Sequence, residues 1–364
     1  MKLKYFKSKT GNIALPVFFP DATRAVIKTL DFVDVENTKT PGILVNTYHL
    51  YKDLGKKVVE KHHGIRNFMS WQGGLISDSG GFQVMSLAKK LGGKNAITDK
   101  GVVFEESGRK IELTPEKSVA FQMALKTDMV VVLDDFTPLN ATYAEAKTTV
   151  VRTILWAKRS KTEFEKICKT KKLSKTIRPY ILGVVQGGKY QDLRKYCIEK
   201  LLKIGFDGLG YGGWPINEDE SFDHETAKTI SENTPKNYLL FGLGIGKPQD
   251  IVACAKLGFT IFDCVLPTRD ARHKRLYVYN AKTIDQIDVN KPNFYSYFFP
   301  SKQKYFLDSN KVSTACDCLL CTRYTRSYLY HLFKSKEITA MRLATIHNLR
   351  FYSILMEKIA KQNK

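Results

Sequence analysis

Five polar residues stand where short apolar runs give way to Gly- or Pro-marked loops: Asn46 after GILV, Asp78 in LISDSGG, Asp134 in VVVLDD, Gln186 in VVQGG and Asp263 in FTIFDC. Taken singly, each suits a turn or a cap, because short polar side chains satisfy local backbone groups. Together, at the ends of candidate strands, they occupy the positions that meet on one rim of a parallel barrel. Paired carboxylates with amide partners fit glycosidic chemistry on a base. One ionised Asp can attack an anomeric carbon, and another can carry the proton that the departing group needs. The five converge without a Lys/Arg clamp, a Gly-x-x-x-x-Gly-Lys loop or a His/carboxylate cage, which argues against phosphoryl transfer and metal hydrolysis. The neighbouring pairs Gly80-Gly81, Gly187-Gly188 and Gly212-Gly213 leave room for a ligand against the backbone.

A second cluster has different chemistry. Of seven cysteines, Cys168, Cys197, Cys254 and Cys264 are scattered, whereas Cys316, Cys318 and Cys321 crowd into six residues. An odd total with one tight group points to a reducing compartment and a metal site, not a disulfide framework. His331 and His347 both lie within reach as a further ligand.

The elements that must position these residues can be read from the apolar runs. Eight are candidates, at 13–20, 42–50, 74–82, 128–136, 179–188, 206–213, 238–246 and 259–268, and most are near-continuous, as in strands buried on both faces. Helical spacing fills several of the gaps. Thr114 caps a helix with Pro115 at its first position, and further helices are predicted over 143–167, 191–205 and 248–258. Strand and helix alternating to eight strands predicts an α/β chain with a (β/α)8 TIM barrel. A doubly wound open sheet is the competing fold, but no G-x-G-x-x-G follows the first strand. After the eighth strand the texture turns polar and aromatic over 276–315, then comes the cysteine group and a helical tail.

With 43% hydrophobic residues the chain can build a large core, and no apolar run is long enough to span a membrane. The start, MKLKYFKSKTGN, lacks the pattern of a secretory signal, so a cytoplasmic protein without membrane attachment is expected. The balance of 58 Lys and Arg against 36 Asp and Glu leaves a formal charge of +22, a field that would concentrate a polyanion. Lys outnumbers Arg 44 to 14, so a general lysine bias explains the charge as well as a nucleic-acid partner does.

The strings SDSGGFQVMSL (77–87), FDCVLPTR (262–269), VVQGG (184–188) and NTYHL (46–50), followed by the cysteine group, resemble the queuine and archaeosine tRNA-ribosyltransferase family, the tRNA-guanine transglycosylases, in its bacterial type. The resemblance covers nearly the whole chain. It implies that Asp263 displaces guanine from the ribose as a covalent aspartyl ester and that Asp78 is the general acid/base. It further implies that Asp134, Gln186 and the backbone at Gly213 read the base edge, that Phe82 and Leu243 sandwich the base, and that Asn46 and Gln83 hold the ribose and the catalytic pair. Glu218 matches the place that meets the cation of 7-aminomethyl-7-deazaguanine. Arg269 and Arg272 match residues that grip a U-G-U anticodon loop, with the target guanine flipped into the pocket. TIHN selects His347, so Cys316, Cys318, Cys321 and His347 would close one structural zinc site per chain. The implied organisation is barrel strands and rim over 1–275, insertion and zinc-binding subdomain over 276–347, and a barrel-completing helix over 348–364, with a homodimer by analogy.

The sequence departs from that pattern at the pocket. The usual Asp-Glu-Cys-Thr-Pro is Asp134-Asp135-Phe136-Thr137-Pro138, and Gly-Gly-Leu-Ala-Val-Gly-Glu is Gly212-Gly213-Trp214-Pro215-Ile216-Asn217-Glu218. Phe241 stands for a Tyr near the nucleophile, and Pro215 would resist a peptide flip because its φ is fixed. Bulky Phe136 and Ile216 favour the aminomethyl base over the larger queuine. Residues 280–310 have no counterpart in the resemblance. The alternatives are a transglycosylase acting on DNA or using queuine, and a non-catalytic tRNA-binding partner subunit, against which the retention of Asp78 and Asp263 speaks.

Overall fold

The computed structural model describes residues 3–93, 96–106 and 108–362; the side chains of Phe82, Lys89 and Arg109 lie outside that description. Eight strands form one parallel sheet: β1 (Val17–Pro20), β2 (Gly42–Asn46), β3 (Gly74–Asp78), β4 (Met129–Val131), β5 (Tyr180–Val185), β6 (Gly208–Tyr211), β7 (Leu239–Gly242) and β8 (Ile261–Cys264). They follow chain order around the sheet, and β8 pairs in parallel with β1. Just past β1 the ring closes onto β2. Asp21 bridges Leu44, and Ala22 N donates to Leu44 O at 2.7 Å. This is the expected TIM barrel, and closure excludes the open doubly wound sheet.

Alternation explains why the runs looked continuously apolar. Val17, Phe19, Leu44, Ile76, Met129, Val131, Leu182, Val184, Leu239, Phe241 and Ile261 fill the barrel, while Phe18, Ile43, Leu75, Val130, Ile181 and Phe262 point outward into the layer shared with the helices. Glycine at the start of β2 is a packing requirement: a Cβ on Gly42 would lie 2.1 Å from the Phe19 ring. An N-terminal hairpin, Tyr5–Ser8 with Gly11–Ala14, adds Phe6 against Phe19 at 5.6 Å between centroids and against Tyr180 at 5.3 Å. Tyr180 opens β5, so Phe6 plugs the end opposite the rim.

The helices begin where helical spacing and the Thr114 cap placed them. Thr114 caps Pro115–Leu125, Thr142 and Glu145 form a reciprocal capping box on Tyr143–Thr170, and Gln191–Ile204 and Pro248–Leu257 follow β5 and β7. Two features were not read from sequence. A three-stranded antiparallel sheet (Ile97–Thr98, Gly101–Glu106, Arg109–Leu113) sits in the connection between β3 and β4, and a hairpin pairs Leu276–Tyr279 with Tyr295–Phe298. The last helix, Ile338–Gln362, starts ten residues before the segment 348–361 read as the final helix, and so includes His347. Its Tyr352 packs on Phe18 of β1 at 4.6 Å. No helix among the described residues is long and apolar enough to cross a membrane.

Candidate active site

The C-terminal ends of the strands surround a cavity of about 560 Å³. Asp21, Asp78, Gln83, Asp134, Gly213, Leu243, Asp263 and Arg269 line it. Asn46 and Asp78 are register partners on β2 and β3. Asn46 is buried behind the wall; its Nδ2 donates to Asp78 Oδ2 at 2.9 Å and to Gln83 Oε1 at 3.0 Å, while its Oδ1 caps the next helix through His49 N at 3.2 Å. One side chain thus ends a strand, starts a helix and orients a carboxylate.

The Gly80-Gly81 turn has a steric cause. Gly80 is left-handed at φ +79°, and its N–H donates to Asp78 Oδ1 at 2.6 Å. A Cβ on Gly81 would lie 2.8 Å from Asp134 Oδ1, so the second glycine lets that carboxylate sit against the start of helix Gly81–Leu91. Gln186 Nε2 donates to Asp134 Oδ2 at 2.6 Å, and its Oε1 accepts from Thr137 N at 3.1 Å, which fixes the amide orientation. Under these loops lies Arg194, 1% exposed, donating to the carbonyls of Gly188 at 2.9 Å, Val185 at 2.6 Å and Gly212 at 2.7 Å. Of the adjacent acids after β4, only Asp134 faces the cavity; Asp135 pairs with Arg152 at 2.5 Å.

Burial controls the proton affinities. It lifts Asp263 to about 8; the Gly244 N–H, donating to Oδ1 at 2.9 Å, pulls the other way, and the charges of Asp21 and Asp78 add to the lift. Asp78 is lifted by burial to about 6, held lower by Gly80 and Asn46. Asp134 is lifted by burial to about 7 against the Gln186 hydrogen bond, with Asp78 and Asp135 adding. The cavity therefore holds carboxyls that exchange protons near neutrality, as acid/base transfer on a leaving group requires.

Other expected residues lie further out. Glu218 is exposed, pairs with Lys189 at 3.2 Å and lines an adjoining groove, whereas Glu220 of the same loop lines the main cavity. Phe136, Pro215 and Ile216 line the cavity, and the Phe136 ring meets Trp214 edge-on at 6.0 Å. Phe241 belongs to the barrel core. Phe82 occupies the first turn of helix Gly81–Leu91, and its side chain lies outside the described residues. Arg269 is exposed at the rim; Arg272 is half-buried and donates to Thr268 O of its own helix, Leu266–Arg272, at 2.9 Å. Sequence reasoning missed Asp21 and Arg194. The criterion that selected the other acids, a polar residue directly after an apolar run, also picks Asp21 in VFFPD.

Near the C-terminus, Cys316, Cys318, Cys321 and His347 are buried, with ligand atoms within 4.8 Å of one another. His347 Nδ1 lies 3.7, 3.5 and 3.3 Å from the three sulfurs in order. Metal–sulfur and metal–nitrogen bonds of about 2.3 and 2.0 Å at a tetrahedral angle would separate N from S by about 3.5 Å, so the set fits one tetrahedral metal. His347 Nε2 lies 2.8 Å from Tyr277 O, which only accepts; the proton sits on Nε2, and Nδ1 is left for a metal. His331 is exposed on helix Arg326–Lys334 and is not part of the group.

A family model described as queuine tRNA-ribosyltransferase matches residues 2–362. The chain is 38% identical over 349 residues to the queuine tRNA-ribosyltransferase of Actinobacillus pleuropneumoniae serotype 5b (strain L20), covering 95% of this chain and 84% of that protein. It is 37% identical over 349 residues to the enzyme of the same description from Shewanella putrefaciens, with 95% and 86% covered. For the Vibrio parahaemolyticus protein so described the identity is 36% over 376 residues, with 99% and 93% covered.

Proposed function

The chain belongs to the queuine tRNA-ribosyltransferase family, and on that premise we propose that it exchanges the guanine at the first anticodon position of tRNA for a 7-deazaguanine. The observation that carries this reading is the convergence of Asp78, Asp134 and Asp263, from different strand ends, on one cavity. Asp263 attacks C1′ of the ribose as the C1′–N9 bond breaks, and the bonding pair leaves with the purine. Asp78 delivers a proton to that purine, leaving an aspartyl–ribose ester and an Asp78 carboxylate. The incoming base gives its N9 proton to Asp78, N9 attacks C1′, and Asp263 departs as carboxylate. Both acids end as they began. Asp134, Gln186 and the Gly213 backbone read the base edge, Leu243 and Phe82 cover its faces, and Asn46 and Gln83 hold Asp78 and the ribose side.

For the base we propose 7-aminomethyl-7-deazaguanine. Phe136, Trp214 and Ile216 narrow the wall of the cavity, which supports a small substituent over queuine, and the loop carrying Glu218 and Glu220 supplies carboxylates for its cation. Arg269 and Arg272 grip the anticodon loop at a U-G-U core. A structural zinc ion is held by Cys316, Cys318, Cys321 and His347; when bound it supplies cross-linking of the chain, not reaction chemistry. The zinc unit is read as residues 276–347, and the working form as a cytoplasmic homodimer.

Radiolabelled guanine exchange into tRNA transcripts with and without U-G-U, run beside duplex DNA, tests the reaction. Incorporation only into U-G-U RNA is expected, with a denaturation-resistant protein–RNA adduct that disappears in Asp263→Ala. Exchange into DNA, or an adduct that persists in the variant, would sink this reading. Competition between the aminomethyl base and queuine identifies the incoming base.

A further inference from the structure

β1 ends at Pro20, and the next residue places a further carboxylate in the cavity: Asp21 lines it with Asp78 and Asp263. Phe19 is the register partner of Asp263, and Asp21 lies two residues further along the same strand face, about 6.6 Å closer to the rim. Its backbone bridges Leu44 of β2, so Asp21 stands between the strand carrying Asp263 and those carrying Asn46 and Asp78. Its carboxylate accepts from Thr23 Oγ1 at 2.7 Å, and the cations Arg272 and Lys28 act on it only through space. Burial raises its proton affinity, and its charge in turn raises those of Asp78 and Asp263. A third carboxylate placed so makes the other two harder to ionise, and gains only if a ligand brings it a donor.

The ligand's chemistry narrows the choice. Phosphate oxygens and the guanine carbonyl are acceptors, which a carboxylate repels. The base readers come from β4, β5 and β6, across the barrel from β1. The sugar must lie against β8, because Asp263 attacks its anomeric carbon, and β1 is hydrogen-bonded to β8. The hydroxyl on the carbon next to the anomeric one is a donor. We propose that Asp21 is a specificity-determining residue that accepts the 2′-hydroxyl of the reacting nucleotide and so selects ribose over deoxyribose. This rests on Asp263 being the nucleophile.

The test uses one anticodon-stem hairpin with the target guanosine as ribo, 2′-deoxy or 2′-fluoro, the last keeping an electronegative 2′ substituent without a donor. Guanine exchange kcat/KM is measured for the wild-type chain, Asp21→Ala and Asp21→Asn. The ribo/deoxy and ribo/fluoro ratios are expected to fall about ten-fold or more in Asp21→Ala and less in Asp21→Asn, whose amide oxygen still accepts. Comparing ratios between variants cancels the intrinsic reactivity of each sugar. A fall below about three-fold overturns the proposal; equal loss on all three hairpins would mean that Asp21 acts only through the charge on its neighbours. If Asp21→Ala does not fold, Asp21→Leu, which likewise lacks an acceptor, reads the same ratios. Should the wild-type chain fail to exchange guanine into the ribo hairpin, the transglycosylase reading fails instead.

Discussion

Asp78 and Asp263 hold their protons in the opposite order to the one their proposed roles demand. The attacking carboxyl must be charged and the acid protonated, yet burial leaves Asp263 at about 8 and Asp78 at about 6. The cause is local: among the described residues, Asp78 accepts from both Gly80 and Asn46, whereas Asp263 accepts from Gly244 alone. The proposed roles therefore need the arrangement with the proton on Asp78 and the charge on Asp263. The productive form is a minor share of the singly protonated pair, and that pair dominates between the two values. Below about 6 both carboxyls are protonated and there is no nucleophile; above about 8 both are charged and there is no acid. A bell-shaped pH profile of kcat/KM is predicted, its limbs belonging to the pair and not to either residue. A profile that only rises from pH 5 to 9.5 would contradict this assignment.

At the scale of elements, the loops after β5 and β6 are tied together from beneath. Arg194 projects from helix Gln191–Ile204 to the carbonyls of Val185, Gly188 and Gly212, next to Gln186 and Gly213. Replacing it by Met removes the arginine donor from the carbonyls of Gly188 and Gly212, while Val185 O keeps Gly212 N at 3.0 Å, at a cost of roughly 3 kcal/mol in stability. In the proposed reaction the loops it holds meet the base and not the sugar. Arg194→Met is expected to raise KM for guanine about ten-fold with a smaller change in kcat, measured by exchange kinetics beside a denaturant melt. An unchanged KM with a lowered melting point would make Arg194 a folding residue only. Legibility also varied by element. The β strands were readable because both faces are apolar, and the helices because their spacing is helical and, for Pro115–Leu125, because Thr114 stands at the start. The sheet over 97–113 was not, because its strands gain their stability from packing Val102, Phe104 and Leu113 against Val84, Met85 and Ala88 of the preceding helix, Gly81–Leu91.

Across the whole molecule, the metal group and the rim are joined through adjacent residues. His347 faces the sulfurs, and Asn348 donates to Pro267 O at 2.9 Å and Arg275 O at 3.1 Å while accepting from Tyr277 N at 3.1 Å. Pro267 lies in helix Leu266–Arg272, which carries Arg269 and Arg272 just past Asp263. Stripping the metal is thus predicted to lower the melting temperature by several degrees, roughly what a loss of a few kcal/mol produces, and to weaken tRNA binding at fixed salt. Metal content near one zinc per chain, thermal melts with and without chelator, and filter binding check this. A stripped protein with unchanged melting and tRNA affinity would contradict it.

Residue type and spacing were enough to determine the barrel, the strand-end acids and the cysteine group, because period-two burial, caps and ligand spacing are local patterns written along the chain. Family membership was legible in the same way, from strings such as DSGGFQ and FDCVLPTR. Only the closed ring decided that Asp21 shares a cavity with Asp78 and Asp263, that Asp135 turns away to Arg152 while Asp134 faces in, and that Glu218 pairs with Lys189 in an adjoining groove. These depend on which way a side chain points once eight strands close. Their proton affinities depend on how much water that closure removes, and both are set by contacts between residues tens to hundreds of positions apart.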